Sequence, residues 1–146
     1  VHNIALGSTR GSLTFNVAGN SGLSSSFLEM HDRHLREFPK SKFIEKIEVK
    51  IERLDSFFQS NLEVNFLKID VQGYELEVLN GATNLLQNSI GLLIEVSLVD
   101  LYVGQPNITE LINFLHGFQF KPIEFWPGVT SSQGELLQID ILFVRY

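Results

Sequence analysis

Asp70 and Glu95 stand in or at the end of apolar runs, where a carboxylate needs a reason to be. Asp70 closes Phe66-Leu67-Lys68-Ile69, three residues before Gly73. Glu95 interrupts Leu92-Leu93-Ile94-Glu95-Val96. A carboxylate in such a run does not stay buried without a partner, so the two are expected to face a shared cleft. There they can take up a proton or orient a bound molecule. Each also has a structural reading. Asp70 suits an Asx turn, or the N-cap of a helix beginning near Tyr74. Glu95 suits a buried partner for Lys68 or Lys121. Glu75 and Glu77 fall in the first turn of the same helix, where the macrodipole favours acids, and that accounts for them.

The other reactive side chains say less. Among His2, His31, His34 and His116 no Ser-His-Asp pattern is legible. His31 and His34, three apart, share one helix face, and a solvated pair explains them better than a metal site. Ser24-Ser25-Ser26 reads as cap chemistry or as hydroxyls facing a ligand. There is no cysteine, which excludes disulfides, thiolate metal sites and Cys nucleophiles. No zinc spacing and no Gly-rich phosphate loop occurs, and no metal is expected. Trp126, in a Pro-Gly setting, lines a substrate mouth or plugs a sheet edge.

The elements that must position these groups follow from periodicity. Residues 1–6 read as a short strand and Gly7 to Gly11 as a turn. Leu13, Phe15 and Val17 alternate with polar residues as a half-buried strand. Ala18 to Ser24 is a loop. Ser26 and Glu29 have capping-box spacing, predicting a helix to about Phe38, where Pro39 stops it. Ile47, Val49 and Ile51 alternate with Glu48, Lys50 and Glu52, a strand with one wet face. A helical turn at residues 54–58 precedes a strand over Asn65 to Val71. Helical segments follow at Tyr74 to Asn80 and Ala82 to Gln87. The apolar run Gly91 to Val99 predicts a strand covered on both faces, parallel to its predecessor in a right-handed βαβ unit. Asn107 and Glu110 form a second capping box, opening a helix closed by Gly117 at C′. Phe118 to Phe125 and Leu136 to Tyr146 pair as antiparallel strands around a loop from Trp126 to Gly134. The fold class is α/β: a mostly parallel sheet ending in a C-terminal antiparallel hairpin, with helices on both faces.

The 146 residues suit one domain, and 44% hydrophobic content suffices for a core. A net charge of -6 with no basic run argues against nucleic acid, whose phosphates need a basic face. No stretch reaches the ~18 apolar residues of a membrane span. The start, Val1-His2-Asn3-Ile4-Ala5-Leu6, lacks the cationic region of a signal peptide. Neither membrane nor nucleic acid is an expected partner, and a cytoplasmic location is expected.

The run Phe66-Leu67-Lys68-Ile69-Asp70-Val71-Gln72-Gly73-Tyr74-Glu75-Leu76-Glu77-Val78-Leu79-Asn80-Gly81-Ala82 resembles the signature of FkbM-type methyltransferases. Their pattern has Lys-Ile-Asp-Val, an acidic or amide residue, Gly, any residue, Glu, and a Leu-x-Gly-Ala ending. Ala5-Leu6-Gly7, Ser25-Ser26, Leu54-Asp55-Ser56, Ile94-Glu95-Val96 and Gln138 to Val144 agree in order, so the resemblance spans essentially residues 1–146. It implies a Rossmann-like class I methyltransferase fold of seven strands, the last antiparallel, with S-adenosyl-L-methionine as cofactor. The family's first strand, its Gly-rich turn and the acidic residue after the second strand have no counterpart here. The chain is therefore expected to be the C-terminal part of such a domain, incomplete at its N-terminus. Gln72 stands where Glu is frequent, as a tolerated variant.

The resemblance further implies O-methylation of a hydroxyl on a sugar, glycan or small metabolite. Asp70 and Glu95 are its catalytic candidates. Ala5 and Leu6 would border the adenine, with Ser25, Ser26 and Asp70 nearby. A non-catalytic remnant or binding module of the same fold is the competing expectation. A dinucleotide oxidoreductase is disfavoured, because no G-x-G-x-x-G is present.

Overall fold

The computed structural model describes residues 2–56 and 66–146. Strands β1 (Ala5–Leu6), β2 (Gly11–Ala18) and β3 (Phe43–Glu52) precede β4 (Phe66–Ile69), β5 (Gly91–Ser97), β6 (Phe120–Pro127) and β7 (Gln138–Arg145). The helices are α1 (Asp32–Glu37), α2 (Glu75–Asn80), α3 (Thr83–Asn88) and α4 (Ile108–His116). Single 3-10 turns occupy Pro39–Ser41 and Leu54–Ser56. Residues 57–58 of the expected helical turn, and Asn65 of the expected strand, lie outside the described residues.

The expected single sheet is two sheets among the described residues, ordered β1-β3-β2 and β4-β5-β7-β6. The chain is a mixed α/β protein, but its sheets are not mostly parallel. Only β1–β3 and β4–β5 run parallel, and the ladders β2–β3, β5–β7 and β6–β7 are antiparallel. The predicted C-terminal hairpin is present, and β7 enters the sheet between β5 and β6.

The main core lies on one face of the four-stranded sheet. Leu92, Ile94 and Val96 of β5 and Ile139, Ile141 and Phe143 of β7 pack with Val78, Leu79, Leu85 and Leu86 of α2 and α3 and Leu111 and Leu115 of α4. The opposite face, with Leu93, Glu95, Asp140 and Leu142, is half-buried. The expectation of helices on both faces is thus corrected among the described residues: the three helices that pack on this sheet share one core. A second core joins Ala18, Met30, Leu101 and Tyr102.

Three further expectations change. The helix predicted from Ser26 is only six residues long and starts at Asp32. Ser26 exchanges backbone hydrogen bonds with Asn16, N to O at 3.1 and 2.9 Å, and a residue bridged in this way cannot open a helix. β3 has two exposed faces over Ile44–Glu48 rather than one wet face: both its apolar and its polar residues there are exposed. His31 and His34 are not a solvated pair. His31 caps α1, while His34 is 3% exposed, between the rings of Phe38 and Tyr102.

The two sheets meet at glycine. Gly7 N donates to Glu52 O, and Asp55 N donates to Gly81 O, each at 3.0 Å. A Cβ on Gly81 would fall on the carbonyl oxygen of Gly7, so this approach needs a residue without a side chain. The second capping box is present, with Asn107 Oδ1 accepting from Glu110 N and Glu110 Oε2 from Asn107 N. Gly117 follows α4 in ordinary right-handed conformation, and the left-handed turn falls two residues later at Gln119 (φ 64°).

Candidate active site

β4 ends at Ile69, and its continuation turns abruptly. Gln72 (φ 54°) and Gly73 (φ 93°) are consecutive left-handed residues before α2. Two neighbours hold this turn. Ser26 Oγ donates to Gln72 O at 2.7 Å, and buried Glu75 accepts from Gly73 N at 2.9 Å. A Cβ on Gly73 would lie 3.1 Å from Tyr102 Cβ, so both space and backbone select glycine there. Burial raises the Glu75 carboxyl above its ordinary range.

The turn forms one wall of a cavity of about 810 Å³, inside the range typical of small-molecule sites. Asp70, Val71, Gln72 and Tyr74 face Asn3, Ile4, Ala5 and Leu6, with Ser25, Phe27 and the β2–β3 residues Phe15, Ile47 and Val49 completing it. Phe27 meets Phe15 edge-on and Tyr74 at a tilt, with ring centroids 5.0 and 4.9 Å away. Asp70 is partly exposed, and its carboxylate accepts from Lys68 Nζ at 3.3 Å and Gln72 Nε2 at 3.0 Å. It does not cap the helix: α2 begins at Glu75, and its N-cap residue is Tyr74, which makes no side-chain cap bond.

Glu95 lies one strand over, behind Gln72 and off the cavity wall. Its partners are amides, not the expected lysines. Glu95 Oε2 accepts from Gln72 Nε2 at 2.9 Å and Gln138 Nε2 at 2.8 Å. Burial first, then repulsion by Asp70 and Asp140, pushes the Glu95 carboxyl up from 4.5 to about 7. Tyr102 OH shares its proton between Ser24 O at 3.0 Å and Gln72 Oε1 at 2.9 Å.

Of the residues expected at the site, Ala5, Leu6, Ser25 and Asp70 meet at one cavity. Ser26 and Glu95 stand behind its wall. Ser25 Oγ accepts from Ala18 N at 2.9 Å and keeps its hydroxyl proton as a donor. Gln72, Gln138, Tyr102 and the aromatic wall were not anticipated. Gln72 had a signal, its place between Asp70 and Gly73; the others pair only through the fold.

The sequence profile of the methyltransferase FkbM domain matches residues 1–122. The chain belongs to the FkbM methyltransferase domain family. The match covers most of the chain and contains Asp70, Gln72, Glu95 and every residue lining the cavity. It ends inside β6, although β7 completes the FkbM domain's core. No curated protein and no solved structure matches the chain. None of the FkbM domain's described helices is long and apolar enough to cross a membrane.

Proposed function

We propose that this FkbM domain transfers a methyl group from S-adenosylmethionine to a hydroxyl oxygen of a sugar or other small metabolite. The observation that carries the reading is the cavity: it gathers Ala5, Leu6, Ser25 and Asp70 from three separate stretches of chain onto one surface. Its residues fit the cofactor. The apolar and aromatic side chains of Ala5, Leu6, Phe15 and Phe27 suit a purine, and the Ser25 hydroxyl suits its polar edge. The Asp70 carboxylate suits a cationic sulfonium by charge. The order β4-β5-β7-β6, with β7 antiparallel, supports a Rossmann-like class I fold.

When bound, the sulfonium supplies an electrophilic methyl group. The chain's own side chains orient the partners and manage one proton. An attacking hydroxyl becomes acidic as its oxygen forms the new bond, so a nearby base lowers the barrier. Asp70 is that base, held by Lys68 and Gln72 at the cavity wall. Glu95 is the second carboxylate of the pair and sets the field around Asp70.

Calorimetric titration with S-adenosylhomocysteine, paired with transfer of labelled methyl from S-adenosylmethionine to a panel of sugars, tests this. Asp70→Asn is expected to keep S-adenosylhomocysteine affinity within about threefold while lowering transfer about 10²–10⁴-fold. Binding without an Asp70 effect would move the base elsewhere. No binding at all would mean that these residues alone do not hold the cofactor, and would favour a binding module of this fold.

A further inference from the structure

We propose that Gln72 is the positioning residue of this site: its single side-chain amide donates one N–H to Asp70 and the other to Glu95, holding the two carboxylates as a pair. The geometry is closed on every side. Gln72 Nε2 lies 3.0 Å from Asp70 Oδ1 and 2.9 Å from Glu95 Oε2. A primary amide has two N–H donors, and both are used. Its oxygen is occupied by Tyr102 OH at 2.9 Å, which sets the orientation of the amide plane. The backbone is pinned as well, by Ser26 Oγ on Gln72 O. The left-handed conformation at Gln72 is what turns the side chain back between β4 and β5.

The arrangement has a chemical consequence. The Gln72 N–H is a donor to the charged form of Glu95 and favours it. Removing that donor leaves the Glu95 carboxylate facing Asp70 without it, so Glu95 binds its proton more readily. The charged and titratable groups around the pair are Lys68 on β4, Glu75 on α2, Asp140 opposite Glu95 on β7, and Tyr102. Gln138 holds Glu95 from the other side and offers no bond to Asp70, so among the described residues Gln72 alone links the pair. The catalytic consequence, an Asp70 oxygen fixed where an acceptor hydroxyl must lose its proton, rests on the methyl-transfer reading above. The coupling itself does not.

The test is therefore a titration rather than an assay. Carboxyl carbon shifts of Asp70 and Glu95 are followed by NMR from pH 3 to 9 in the wild-type chain and in Gln72→Leu, Gln72→Glu and Tyr102→Phe. In Gln72→Leu the Glu95 midpoint is expected to rise by about one pH unit. In Gln72→Glu the rise is larger, because a third carboxyl joins the cluster. In Tyr102→Phe, which keeps the amide but frees its oxygen, the same direction is expected with a smaller shift. Amide spectra of each variant report whether the fold persists, and any one folded variant suffices. A Glu95 midpoint unchanged within about 0.3 unit in a folded Gln72 variant would overturn the proposal. Because no cofactor is added, failure of the methyltransferase reading leaves this outcome untouched.

Discussion

Burial and neighbouring charge act together on Glu95. Its folded pKa of about 7 lies above the ordinary 4.5, so between those values the folded state holds a proton that the unfolded state has released. Stability tied to Glu95 is therefore present below about pH 4.5 and lost as pH rises through 7. The Glu95→Gln variant, which keeps an oxygen to accept from Gln72 and Gln138, should escape that loss. It should be more stable than wild type at pH 8 by about 1–2 kcal/mol, a figure reduced for the half-exposed position, and nearly equal to it at pH 4. Urea unfolding of both proteins at the two pH values checks this, and an equal gap at both would refute the cause given. His34 acts in the opposite sense. Burial holds its pKa below the ordinary 6.5, so stability tied to it is lost as pH falls below 6.5. The comparison with Glu95→Gln cancels that contribution.

At the scale of elements, short helices are held by distant residues. α3 spans six residues and has Ala82 as an N-cap with no side-chain bond. Asp55, from the 3-10 turn Leu54–Ser56, serves in its place. Its carboxylate accepts from Leu85 N at 3.0 Å, Asn84 N at 3.1 Å and Thr83 Oγ at 3.3 Å. The Leu54-Asp55-Ser56 step noted in the sequence is thus a cap supplied across the fold. Asp55→Ala leaves those donors unsatisfied and should lower stability by about 2 kcal/mol, the upper end for a lost cap. The midpoint shift in urea measures it, and a change under about 0.5 kcal/mol would show that water replaces the carboxylate without cost. Capping chemistry was legible in sequence where it is local, at Asn107 and Glu110. It was misread at Ser26, where the hydroxyl spacing was right but the backbone was already committed to Asn16.

For the molecule as a whole, β7 decides whether there is a core. It lies between β5 and β6, and its Ile139, Ile141 and Phe143 are at most 7% exposed. A chain ending at Pro127 would expose the facing side of β5 and is expected to show no cooperative unfolding transition by circular dichroism. A retained sigmoidal transition would mean that the β4–β5 unit with its helices folds alone. The sequence alone determined much of this protein. Periodicity located most strands and helices, and the motif around Asp70 identified the family, because both are local: a side chain's alternation and a turn's chemistry are written within a few residues. Only the tertiary structure decided that the strands divide into two mixed sheets, that Ser26 and Glu95 stand behind the cavity wall, and that Gln72 joins two carboxylates 25 residues apart in sequence through one amide. Those facts depend on which strand pairs with which and on what covers each face, and such long-range packing has no periodic trace in the chain.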